Sequence, residues 1–167
     1  MENHQNFGIN TLCVHAGSSK DEFGPVVTPI YQTSTFKFKN AEQGARLFKG
    51  EEKGFIYTRL GNPTIEAMEE AVAELEGGYK AIGCASGMAA VHTLIAGMLR
   101  AGDHLVSSDS VYGATSVLLS SIMPQFGIET TFVDSSDIEQ VKNAIKPNTR
   151  MIYIETPGNP TLAITDL

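Results

Sequence analysis

Apolar positions repeat regularly along the later two thirds of the chain and irregularly before that. From Asn62 the period is helical: Ile65, Met68, Val72 and Leu75 recur at three- and four-residue steps. Asn62 can cap this helix, and Pro63 suits a first turn, where a missing N–H costs nothing. Gly77-Gly78 ends it. Next, "KAIGCA", "HLVSS", "IETTFVD" and "RMIYIE" read as short strands. The segments between them read as helices. "GMAAVHTLIAGMLRAG" is closed by Gly102, and "YGATSVLLSSIMPQFG" ends near Pro124. "SDIEQVKNAI" opens with a capping box from Ser136 to Glu139 and stops before Pro147. Strand, helix, strand, helix with short links predicts an α/β fold with right-handed βαβ units and a mostly parallel sheet.

The stretch before Asn62 lacks that rhythm. "EFGPVVTPIYQTSTFKF" sets Pro25 and Pro29 among β-formers without alternation, which predicts an extended arm. Such an arm packs on a partner subunit or on its own, and composition does not choose between them. "NAEQGARLF" predicts a short helix capped by Asn40. The expected division is a subunit-contacting arm and short helix over residues 1–61, then an α/β domain over 62–167.

Composition narrows the function classes. The 167 residues are 42% hydrophobic and 19% charged, enough for one domain with a sizeable core. The net charge of -7 argues against general nucleic-acid binding, which needs clustered Lys and Arg. It leaves room for a small anion held by a few local donors. No apolar run approaches a membrane span, and "MENHQNFGIN" lacks the apolar region of a secretory signal, so a cytoplasmic location is expected. Cys13 and Cys84 are far apart and read as reduced thiols. His15 and His104 stand alone and His92 lies within a helix, so no metal site is expected.

In a parallel sheet, ligands sit beyond the carboxyl ends of the strands, so those loops carry the candidate chemistry. "CASGMAA" places Ser86, Gly87 and Met88 at a helix start. Free backbone N–H groups there can cradle a phosphate, or the small residues serve only a tight turn. In "SSDSVYGAT", Tyr112 can stack on a planar ligand or simply pack. In "ETPGNPT", Asn159 can present an amide from a rigid loop, with Glu155 at the strand end, or the loop is a plain turn. Upstream, "YTRLGNPT" puts Tyr57 and Arg59 two residues apart before a turn, a pair suited to an anion. Cradle, ring and amide together suggest a phosphorylated aromatic cofactor.

Taken in order, "PIYQTSTF", "YTRLGNPT", "ASGMAA", "VYGAT", "FVD" and "YIETPGNPTL" resemble the N-terminal part of the pyridoxal-phosphate enzymes of cysteine and methionine metabolism. Within that family, "RLGNPT", "MPQFGIETTFVD" and "ETPGNPTL" look most similar to methionine γ-lyases. The resemblance implies an incomplete aspartate-aminotransferase-like (fold type I) large domain, with pyridoxal 5′-phosphate as cofactor. It implies γ-elimination or γ-replacement on a sulfur amino acid, in homotetramers built from tight dimers. It assigns Ser86, Gly87 and Met88 to the cofactor phosphate, and Tyr112 to stacking on the ring and assisting proton transfer. Asn159 goes to the phenolic oxygen and the substrate carboxylate, and Tyr57 and Arg59 to the phosphate of the neighbouring subunit.

Two departures keep alternatives open. Methionine γ-lyases carry Cys after the Tyr-Gly pair, whereas the synthases and cystathionine lyases carry Gly; this chain has Ala114. Cystathionine γ-lyase, cystathionine γ-synthase and O-acetylhomoserine sulfhydrylase therefore stay beside methionine γ-lyase. The Ser-x-Thr-Lys context of the family's Schiff-base lysine is also missing, and the last lysine is Lys146. A fragment without lyase turnover is expected, or an inactive subunit that pairs with full-length enzyme.

Overall fold

The computed structural model describes residues 7–18, 21 and 23–167, which divide into two units, Met1–Gly83 and Cys84–Leu167. The polar opening at 1–6, and Glu22 at the start of the proline-bearing segment, lie outside the described residues.

In the first unit, α1 (Ile9–His15) packs against α3 (Pro63–Leu75). Periodicity did not predict α1. It is short and buries none of its residues, so it leaves little apolar pattern, and contact with α3 holds it. The turn after it is seated closely: a Cβ on Gly17 would come within 2.0 Å of the Ala67 carbonyl oxygen. Helix α2 (Ala41–Lys49) starts as expected, with Asn40 accepting from the Gln43 N–H at 2.8 Å. Asn62 does more than cap α3. Its Oδ1 accepts from the Thr64 N–H, and its buried Nδ2 donates to the Tyr31 carbonyl, each at 2.9 Å. Thr64 Oγ1 in turn accepts from the Tyr31 N–H and donates to the Pro29 carbonyl. One helix start thus anchors the extended segment. Among the described residues of 21–40 the pairing is a single antiparallel bridge, Thr35 with Tyr57. Phe23, Val26, Val27 and Ile30 are exposed.

In the second unit, β1 (His104–Ser108) lies between β2 (Glu129–Val133) and β3 (Thr149–Tyr153), both parallel to it. This is the α/β, parallel-sheet architecture the alternation predicts. All of β1 is buried, as a central strand covered on both faces should be. Ile95 and Leu99 from α4 (Gly87–Met98) and its end pack with Leu105, Leu118, Leu119, Met123 and Ile128 to form the core.

Four details differ from the sequence expectations. "KAIGCA" forms no strand, because no neighbouring strand supplies ladder bonds; the Gly83 N–H instead donates to Glu69 Oε1 at 2.6 Å. Helix α4 stops at Met98, where Leu99 turns extended, and Gly102 belongs to the turn that follows. The next helical stretch changes pitch. α5 (Gly113–Val117) passes into a π-helical turn at Leu118–Ile122 and a 3-10 turn at Met123–Phe126, around Pro124. Finally, Asp137, not Ser136, caps α6 (Ile138–Ala144), accepting from the Glu139 N–H at 3.0 Å. Ser136 is already engaged, donating from both Oγ and N–H to Asp134 Oδ1.

His104, a lone histidine in the sequence, opens β1 as the strand reading of "HLVSS" expects. It is fully buried, with Nδ1 2.8 Å from Thr149 Oγ1 and Nε2 2.8 Å from Thr131 Oγ1. One ring thereby ties β1 to both neighbouring strands. Burial, then the nearby Lys146 charge, hold its pKa below the usual imidazole value, with Glu129 opposing.

Candidate functional site

A cleft of about 390 Å³ opens in the second unit, between the start of α4 and the carboxyl ends of β1 and β3. That volume falls in the range of small-molecule sites. Ser86, Gly87 and Met88 form one wall. Ser86 Oγ accepts from the Ala89 N–H at 3.1 Å, which caps α4 and leaves the hydroxyl proton available. The first N–H groups of a helix have no intrahelical acceptor, so those of Gly87 and Met88 are free for an anion, with the helix dipole adding to the attraction. A Cβ on Gly87 would meet nothing within 4 Å, so open space surrounds this cradle.

Tyr112 lines the cleft just ahead of α5 and is half exposed. Its backbone N–H donates to Glu155 Oε2 at 2.9 Å. The other Glu155 oxygen accepts from the Asn159 N–H at 3.1 Å. The loop after β3 thus holds the loop after β1. It contains two cis prolyl bonds, Thr156-Pro157 and Asn159-Pro160, and a positive φ at Leu162.

The floor is Thr115 and Tyr153. Buried Thr115 donates from Oγ1 to Met88 Sδ at 3.6 Å. The Tyr153 hydroxyl is pushed above its usual value, first by burial and then by the Glu155 charge, with a Thr115 hydrogen bond opposing.

The structure therefore brings Ser86, Gly87, Met88 and Tyr112 to one cleft. Asn159 borders it through its bond to Glu155, and its side chain is exposed. Tyr57 and Arg59 belong to the first unit, where the Arg59 guanidinium carbon sits 4.8 Å from the Tyr57 ring centroid. Sequence reasoning missed Thr115 and Tyr153. Both left a signal: Thr115 lies one helical turn beyond Tyr112, and Tyr153 lies two residues before Glu155, on the same side of an extended strand.

The cradle's donors and the cleft's size fit a phosphorylated planar cofactor. Comparison with known proteins agrees. A model of the family described as "Cys/Met metabolism PLP-dependent enzyme" matches residues 10–167. The chain is 50% identical over 161 residues to an L-methionine gamma-lyase of Fusobacterium nucleatum subsp. polymorphum, covering 96% of this chain and 41% of that protein. It is 46% identical to the cystathionine gamma-lyase of Bacillus subtilis, covering 94% of this chain and 39% of that protein. A crystal structure of a putative O-acetylhomoserine (thiol)-lyase from Campylobacter jejuni carries an N′-pyridoxyl-lysine-5′-monophosphate. It superposes with a TM-score of 0.88 at 37% identity, over 96% of this chain and 40% of that one. The chain thus spans about two fifths of the length of these relatives.

Proposed function

The chain belongs to the Cys/Met metabolism PLP-dependent enzymes, and on that premise we propose that the protein it forms is a carbon–sulfur lyase acting on a sulfur amino acid by γ-elimination, as methionine γ-lyases do. The observation that supports this most is the convergence of the α4 cradle and the two strand-end loops on one cleft. Pyridoxal phosphate, when bound, supplies the electron sink for carbanion chemistry next to the amino group. The chain's own residues do the rest. The Gly87 and Met88 N–H groups and the Ser86 hydroxyl hold the phosphate. Tyr112 stacks on the planar ring and assists proton transfer through its hydroxyl. Asn159 offers its side-chain amide to the ring's phenolic oxygen and to the substrate carboxylate. Tyr57 and Arg59 reach the phosphate of a neighbouring subunit in a homo-oligomer.

The experiment is to supply the protein, as its gene encodes it, with pyridoxal phosphate, and to offer methionine, cystathionine and O-acetylhomoserine in parallel. Release of a keto acid, ammonia and thiol from methionine supports the reading. Turnover confined to cystathionine, or to O-acetylhomoserine with a thiol, moves the assignment to those neighbours; Ala114, beside cleft-lining Thr115, leaves them in contention. Failure to bind the cofactor contradicts the reading as a whole.

A further inference from the structure

Glu155 stands where the two strand-end loops meet. Its Oε2 accepts from the Tyr112 N–H at 2.9 Å and its Oε1 from the Asn159 N–H at 3.1 Å. The first amide belongs to the β1–α5 connection, and the second to the loop after β3. The same loops touch at a second place. Ser110 and Thr161 hydroxyls share a 2.5 Å hydrogen bond, and a Cβ on Gly158 would come within 2.7 Å of the Ser110 carbonyl oxygen. Glu155 takes part in no ion pair among the described residues. Its carboxylate is thus spent on backbone amides, one from each loop.

Resting on the pyridoxal-phosphate reading above, we infer that Glu155 is a positioning residue, whose carboxylate buckles the two loops and so sets where Tyr112 and Asn159 stand against the ligand. The chemistry requires a carboxylate of this length. A carboxylate has two acceptor oxygens and no donor, so it can take an N–H on each side. A glutamine has one acceptor, and its NH₂ would face the second N–H. An aspartate carries the same pair of oxygens one methylene closer to its own backbone, so at this position it falls short of the two amides. Charge strengthens each bond beyond a neutral one. The same carboxylate lines the cleft, where its charge helps to raise the Tyr153 hydroxyl. Releasing it therefore alters both the ring's support and the floor beneath it.

The test compares wild type, Glu155→Gln and Glu155→Ala in the protein as its gene encodes it. Amide hydrogen exchange is read at Tyr112 and Asn159. Pyridoxal-phosphate affinity and the visible circular dichroism of bound cofactor are read in parallel. For each bond lost, exchange at its amide should rise about ten- to a hundredfold, the worth of one charge-assisted hydrogen bond. Glu155→Ala should release both amides and Glu155→Gln one. Cofactor affinity should fall by about tenfold, with altered ellipticity at saturation and an unchanged far-ultraviolet spectrum. Unchanged exchange at both amides overturns the buckle. Wild-type affinity and ellipticity in the two variants overturn the positioning role, even if the melting temperature drops. If wild type binds no cofactor, the functional reading fails, and exchange still decides the buckle. If Glu155→Ala does not fold, the near-isosteric Glu155→Gln carries the comparison.

Discussion

Arg59 shows what a single residue contributes. Its guanidinium lies over the Tyr57 ring, and no carboxylate among the described residues pairs with it. Stacking holds the side chain and leaves its fork of donors free for an anion. Arg59→Ala should therefore weaken pyridoxal-phosphate binding by about 1.5–3 kcal/mol, the usual worth of a hydrogen bond to a charged group. Arg59→Lys should restore only part of it, because lysine presents a point charge without the fork. Cofactor titration of the three proteins checks this, and equal affinities would remove Arg59 from the site. Residues with a local duty were legible in the sequence. Asn40 and Asn62 cap their helices because a cap bond reaches only two or three residues ahead. Ser136 was misread because Asp134, two residues back, already held its hydroxyl. Glu155's two bonds reach 43 residues back and four ahead, so only its place at a strand end could be seen beforehand.

Among elements, the sheet is where sequence pattern and tertiary context part company. The three strands that form, β1, β2 and β3, each have a parallel neighbour. "KAIGCA" has equal apolar character and no neighbour, and it stays irregular. Strand formation depends on pairing, which a local pattern does not report. His104 is the polar pin of this sheet, and it gives the element a pH dependence. Its folded pKa is depressed, so between that value and the ordinary value near 6.5 the unfolded chain binds a proton that the folded chain refuses. Stability is then fully present above about pH 6.5 and declines as pH falls below it. Denaturant titrations at pH 7.5, 6.5 and 5.5, for wild type and His104→Gln, check this sign. The wild type should lose stability over that interval, and the variant should lack the histidine's share of the slope. Parallel slopes in the two proteins would mean that His104 does not titrate on unfolding.

For the whole molecule, the α/β class and the parallel sheet followed from alternating periods, and the family from motifs kept in order. Helix α1 did not, since it depends on packing against the distant α3, and the pitch change after Val117 did not, since an apolar pattern does not tell an α-helical turn from a π-helical one. Catalysis belongs to this scale as well. In the reading proposed above the cleft binds and orients the cofactor, and neither lysine of 84–167, Lys142 or Lys146, lines it. The 167-residue chain by itself should release no keto acid or ammonia from methionine. A coupled dehydrogenase assay with cofactor in excess measures this. Sustained turnover by the pure chain would mean that another group does the lysine's work.

The central claim is that the cleft between α4 and the two strand-end loops is a pyridoxal-phosphate site. A crystal structure of the protein, as its gene encodes it, grown with that cofactor tests it most directly. The account predicts phosphate oxygens within hydrogen-bonding distance of the Gly87 and Met88 N–H groups, and the pyridine ring against Tyr112. A cofactor bound elsewhere, or a cleft still empty at a saturating concentration, would contradict it.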